Sequence, residues 1–153
     1  MQTFVNYRPD VGYVQGMSYI AGIILLHFGP PHECFKVFCN LMSFQILTDF
    51  YMTIHDRINT FYKVFWSLLK ETCPKLYNQL ISEDMVSGNI FLIGWVLTLF
   101  SGTQFSIEIT ACIWDQLMLF GERHILRVAL ALCKCVEIRV ETELIAQAKR
   151  NTA

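Results

Sequence analysis

Two apolar runs, residues 17–28 and 90–100, constrain this chain more than any other feature, because each is closed by a strong helix breaker. The first ends at Phe28-Gly29-Pro30-Pro31 and the second at Ser101-Gly102. A helix that crosses a bilayer needs about 18 or more consecutive apolar residues. Both runs are shorter, and Ser18, His27 and Thr98 interrupt them. No transmembrane segment is expected. The runs predict core helices buried on most sides, or helices whose packing neighbours are absent from this chain. The hydrophobic share, 54% of 153 residues, is above the ~45–50% of ordinary soluble domains and has the same two explanations. The length fits one domain with a sizeable core.

The charge balance and the motifs of the chain exclude several functions. Twelve Lys and Arg residues face 13 Asp and Glu residues with no long run of either sign, which is not the electrostatic footprint of a nucleic-acid binder. No cationic segment precedes an apolar stretch at the N-terminus, so no secretory signal is expected and the chain reads as cytoplasmic. Six cysteines (34, 39, 73, 112, 133 and 135) form no Cys-x-x-Cys pair and no zinc-site spacing with the scattered His27, His32, His55 and His124. They read as reduced thiols, five of them in helical apolar segments, and no metal site is expected. The phosphate-binding glycine loop, the H-E-x-x-H metal motif and the G-x-S-x-G elbow are all missing. Glu83-Asp84 and Asp56-Arg57 read as solvated surface. The chain therefore predicts neither an active site nor a cofactor of its own.

Punctuation and periodicity divide the chain into helices. Residues 1–7 read as a helix tail that Pro9 stops, a beginning that suggests a lost upstream part. Asp10 stands where an N-cap would and predicts a helix running to about His27. Pro31 suits the first position of the next helix, which carries Cys34, Phe35, Phe38, Cys39, Leu41 and Met42 at spacings of three and four. Residues 45–54 read as a looser segment. Beyond it Ile58, Phe61, Tyr62, Phe65, Leu68 and Leu69 form one face of an amphipathic helix, ended by Thr72-Cys73-Pro74. A short helix with Leu76 and Leu80 follows, then a polar connection over residues 82–89. Residues 90–100 read as helix rather than strand because their neighbours are helical. Ser106 caps the next helix, residues 107–119, and Gly121 stops it. A further helix runs from Glu122 to about Val136, and the helix-prone remainder frays at its end. The expected fold is all-α, a single domain of about seven or eight helices.

One octet stands apart: Asp10-Val11-Gly12-Tyr13-Val14-Gln15-Gly16-Met17. Two glycines permit close approach of backbone or ligand, and Gln15 between them carries a donor and an acceptor on one amide. Locally, the simplest reading of Gln15 is a cap on the helix that follows. Trp95 in Gly94-Trp95-Val96-Leu97-Thr98-Leu99-Phe100-Ser101 and Trp114-Asp115 in Ile113-Trp114-Asp115 also stand out. Read locally, both tryptophans belong to the core and Asp115 to a buried helix tie.

Tyr13-Val14-Gln15-Gly16-Met17 resembles the Y-x-Q-G-M signature of the TBC domain, the all-helical GTPase-activating domain that acts on Rab-type GTPases. Residues 91–101 resemble that family's tryptophan-containing helix ending in Leu-Phe-Ser. Ile113-Trp114-Asp115, Gly121 and Arg127-Val128-Ala129-Leu130 are similar to its I-W-D, Gly and R-x-A-L pattern, in the same order. The resemblance covers residues 4–137. It implies an N-terminally incomplete TBC domain over residues 1–137, with 138–153 as a helical extension.

The resemblance further implies that Gln15 is a glutamine finger inserted into the GTPase. Tyr13, Gly16 and Met17 would serve GTPase binding, and Trp95, Trp114 and Asp115 would be structural family positions. GTP and Mg²⁺ would belong to a Rab-type partner in its GTP form. The chain would activate that partner, with no substrate turnover of its own, in vesicle trafficking and peripherally at endomembranes. The family's arginine finger lies in an I-x-x-D-x-x-R motif upstream, which this chain does not contain. Arg8 lies too close to Gln15 to take its place. Gly94 and Ser18 also depart from the family's usual charged residue and Asn. The alternatives are a non-catalytic helical module that binds a Rab or another trafficking partner, and a plain structural fragment.

Overall fold

A computed structural model describes residues 1–82 and 85–151, with backbone only for residues 85–88, 145 and 148–151. Glu83 and Asp84, and the last two residues of the expected frayed end, lie outside the described residues. Among those described there are nine helices and no strand. They are α1 Gln2–Tyr7, α2 Met17–His27, α3 Pro31–Leu41, α4 Gln45–Tyr51, α5 His55–Thr72, α6 Pro74–Ser82, α7 Met85–Thr98, α8 Ile107–Phe120 and α9 Arg123–Asn151. The chain is all-α, as expected.

The second apolar run becomes the hub of the fold. α7 packs against α2, α4, α6 and α9, and Leu92, Val96, Leu99 and Phe100 are fully or almost fully buried. Around it α5 contributes Phe65, Trp66 and Leu69 to the core, and α9 contributes Ile125, Ala129 and Cys133. The first apolar run behaves differently. α2 buries Met17, Ile20 and Ile24 but leaves Leu25 and Leu26 exposed. Met118, Leu119 and Phe120 of α8 are exposed as well. A groove of about 380 Å³ separates these helices, lined by Ile23, His27, Leu41, Trp114, Asp115 and Met118 among others. The apolar excess thus divides between a buried helix and bare faces.

Several local expectations change. Residues 45–51 are helix α4, not a loose segment, and five of its seven residues are buried. The first-turn amide of Ile46 donates to Glu122 Oε1 at 3.1 Å, a carboxylate carried by a distant part of the chain. The polar connection expected over residues 82–89 is shorter, because α7 already includes residues 85–89. The last helix does not stop near Val136 but continues without a break to Asn151. The start of α6 is secured in the same manner as that of α4: Lys75 N and Leu76 N donate to Glu137 Oε1 at 3.0 and 3.1 Å. Glu137 is only 5% exposed. These two carboxylates satisfy amides that a helix start otherwise leaves without partners.

No helix among the described residues is long and apolar enough to cross a membrane. All six cysteines are free thiols. Cys34, Cys73 and Cys133 are buried, whereas Cys112 and Cys135 are exposed despite their helical apolar context.

Candidate functional site

The octet folds as an irregular loop rather than as the first turn of a helix. α1 ends at Tyr7 and α2 begins only at Met17. Asp10 does not cap α2. Its carboxylate accepts from Arg8 instead, Nε to Oδ1 at 2.8 Å and Nη2 to Oδ2 at 2.7 Å. That ion pair lowers the Asp10 carboxyl pKa from its ordinary value and raises that of Arg8. Arg8 and Asp10 close a turn in which the Val11 and Gly12 amides donate to the Arg8 carbonyl. Gly12 follows with φ +68°.

Gly16 is the N-cap of α2 and has φ +112° with ψ −31°. Side chains rarely adopt that backbone conformation. Space is equally restrictive, since a Cβ at Gly16 would lie 3.1 Å from the Leu97 carbonyl oxygen and 3.4 Å from Thr98 Cγ2. The loop therefore rests with its glycine on the last turn of α7. Met17 anchors the next position: it is 0% exposed, and its Sδ lies 3.5 Å from the Val14 amide. Its side chain offers no surface to a partner. Gln15, immediately before these two buried residues, is exposed. Tyr13 and Tyr19 flank it, each 54% exposed. Among the described residues, the loop's side-chain hydrogen bonds, within Arg8–Asp10 and Val14–Met17, leave the Gln15 amide out.

The platform beneath Gly16 is itself unusual. Leu99 and Phe100 follow α7 with φ +46° and +64°, a left-handed conformation that costs a non-glycine residue about 1–2 kcal/mol. Both are buried. Two side chains from other helices capture the carbonyls there. Tyr51 of α4 donates its hydroxyl to the Leu97 oxygen at 2.7 Å, and Trp114 of α8 donates Nε1–H to the Leu99 oxygen at 2.9 Å. Thr98 bonds back to the Gly94 carbonyl at 2.8 Å. Gly102 sits so close that a Cβ there would meet Thr98 Cγ2 at 2.9 Å.

The tryptophans singled out by sequence thus surround the platform. Trp95 is half-buried, with its ring centroid 4.9 Å from that of Phe91 and 5.9 Å from that of Phe100. Trp114 is half-buried and holds Leu99. Asp115 is exposed on the rim of the α2–α8 groove and is not a buried tie. Sequence reasoning missed Tyr51, Trp66 and Asn89. Trp66 Nε1 donates to Asn89 Oδ1 at 2.9 Å, tying α5 to the early part of α7. Tyr51 lay in the segment read as loose, although the apolar spacing of Ile46, Leu47, Phe50 and Tyr51 is helical and was the available signal.

The family model of the Rab-GTPase-TBC domain matches residues 1–140. The chain is 34% identical over 134 residues to TBC1 domain family member 14 of Rattus norvegicus, which covers 88% of this chain and 19% of that protein. It is 30% identical over 134 residues to TBC1 domain family member 12 of Xenopus tropicalis, covering 88% and 19% respectively. To the GTPase-activating protein GYP5 of Saccharomyces cerevisiae it is 32% identical over 132 residues, covering 86% and 14%. The chain spans less than a fifth of the length of each of these curated relatives. No solved structure matches it. With the model covering nearly the whole sequence and the loop and tryptophan motifs gathered at one platform, the chain belongs to the Rab-GTPase-TBC domain family.

Proposed function

We propose that this chain forms part of a GTPase-activating surface for a Rab-type GTPase in its GTP form, with Gln15 as the group that enters the partner's active site. The observation that carries the reading is the contrast along three consecutive residues: Gly16 and Met17 are buried, and Gln15 is exposed on the anchored loop. Family membership and the printed description of GYP5 as a GTPase-activating protein support it.

The chemistry required is small and specific. Intrinsic GTP hydrolysis is slow because the attacking water is poorly oriented and charge on the transferred phosphoryl group is poorly stabilised. A neutral amide is suited to the first task, since it accepts from water and donates to phosphate without adding charge. GTP and Mg²⁺ belong to the partner. The second task falls to an arginine finger, worth about 10³–10⁵ in rate. This chain contains no I-x-x-D-x-x-R motif, and the guanidinium of Arg8 is engaged by Asp10. Stimulation by this chain alone should therefore fall well short of a complete two-finger activator.

Single-turnover GTP hydrolysis across a panel of Rab-type GTPases tests the reading. The expected result is weak stimulation of one or a few members that Gln15→Ala abolishes. Strong acceleration that Gln15→Ala leaves untouched would overturn the assignment of Gln15 and the prediction of weak activity. The exposed apolar side chains of α2 and α8, Leu25, Leu26, Met118, Leu119 and Phe120, favour a second reading, a module that docks the GTPase without catalysis. GTP-selective binding with no Gln15 dependence supports that alternative, whereas equal binding to GTP and GDP forms opposes both. A position at endomembranes through the Rab-type partner is part of the same proposal.

A further inference from the structure

The Leu97 carbonyl is an unusual junction. It lies in the last turn of α7, where helix carbonyls lose their intrahelical donors. The following amides bond elsewhere: Ser101 N to the Thr98 oxygen, and Phe100 N to the Trp95 oxygen at 2.9 Å. The donor that reaches the Leu97 oxygen is the Tyr51 hydroxyl, at 2.7 Å. On its other side the same oxygen limits the space at Gly16, where a Cβ would stand 3.1 Å away. Tyr51 is buried, and burial raises its phenol pKa well above the ordinary value, so it remains a donor. One polar side chain from α4 thus fixes the atom on which the Gln15 loop rests.

We propose that Tyr51 is a positioning residue for Gln15: it touches no reacting group, but by holding the Leu97 carbonyl it sets the height and tilt of Gly16 and hence the presentation of the glutamine. The functional half of this inference rests on the proposed role of Gln15. The structural half does not. α4 thereby becomes part of the site, although its own residues lie outside the loop.

Tyr51→Phe tests the inference, because it removes the hydroxyl and keeps the ring. Two readouts are needed. The first is amide exchange at Met17 and Tyr19, whose N–H groups bond to the Val14 and Gly16 carbonyls at 3.2 and 3.1 Å. The second is binding to a Rab-type GTPase loaded with GDP and aluminium fluoride, a mimic of the transferring phosphoryl group. Asn89→Ala is the control, since it removes the acceptor of Trp66 at the early part of α7 without touching the platform. Tyr51→Phe should speed exchange at Met17 and Tyr19 about tenfold and weaken transition-state-mimic binding several-fold, while Asn89→Ala does neither. Wild-type exchange in Tyr51→Phe, or equal acceleration in Asn89→Ala, would overturn the proposal. If Tyr51→Phe does not fold, Gly16→Ala disturbs the same contact from the loop side. The same local acceleration is then expected, and its absence counts against the proposal. If wild-type binding shows no dependence on Gln15, the role of Gln15 fails, and the exchange measurements still decide whether Tyr51 holds the loop.

Discussion

Helices α2 and α8 begin in opposite ways. α8 has a local cap: Ser106 accepts from the Ile109 amide at 3.4 Å, and Glu108 stands in the first turn. α2 has neither device. It begins at a glycine with positive φ, no side-chain cap and no acidic residue in its first turn. Its support comes instead from Leu97 and Thr98, more than eighty residues further along the chain. A side-chain cap occupies the residue at the entrance with the helix's own amides. A glycine entrance supported from below leaves the preceding residue, Gln15, exposed. α8 is thus fastened by its own first turn, whereas α2 is held from α7 and leaves Gln15 exposed at its entrance.

Substitutions at the entrances should separate these two designs, beginning with the greatest loss. Gly16→Ala adds backbone strain and a contact at 3.1 Å to the Leu97 oxygen. A loss of about 3 kcal/mol in urea unfolding is expected. Gly12→Ala is the matched control: it has φ +68° but open space around it, so about 1–2 kcal/mol is expected from strain alone. Equal losses at the two glycines would break the claim that α7 supports the loop.

Glu137→Ala should cost about 1–2 kcal/mol, because it removes the buried carboxylate that accepts from the first amides of α6. Its pH dependence is a sharper test. The Lys134 hydrogen bond, followed by the backbone hydrogen bonds from Leu76 and Lys75, holds the Glu137 carboxyl below its ordinary value of 4.5 against the opposing effect of burial. A group depressed in the folded state stabilises fully above its unfolded pKa, and that stability is lost as the pH falls through the folded value. Stability should therefore decline below about pH 4.5 in the wild type, and less steeply in Glu137→Gln. Ser106→Ala should have a smaller effect on stability, about 1 kcal/mol, with no change in the exchange of the Gln15 loop.

The same contrast explains what was legible in the sequence. α8 could be read closely because Ser106 and Gly121 mark both of its ends locally. Residues 45–51 carry a helical apolar spacing but no local cap, since the group that secures their start is Glu122, which only the fold brings near. Asp10 has the residue type of a cap, and sequence alone does not reveal that Arg8 occupies its carboxylate. Gln15 was found because its motif is local and ordered with two later ones. Tyr51 was not, since only the fold brings its hydroxyl from α4 to the Leu97 carbonyl of α7. Asp115 was misplaced for a related reason: helical spacing put it beside the core, but the face between α2 and α8 is open.

The most direct measurement compares wild type and Gln15→Ala for binding to a responsive Rab-type GTPase in two states, GDP alone and GDP with aluminium fluoride. Gln15 is exposed and sits outside the core, so unfolding stability should change by no more than about 0.5 kcal/mol. The account predicts that wild type prefers the aluminium fluoride state and that Gln15→Ala loses most of this preference, about a hundredfold by comparison with deleting one transition-state donor. An unchanged preference in a folded Gln15→Ala protein would contradict it.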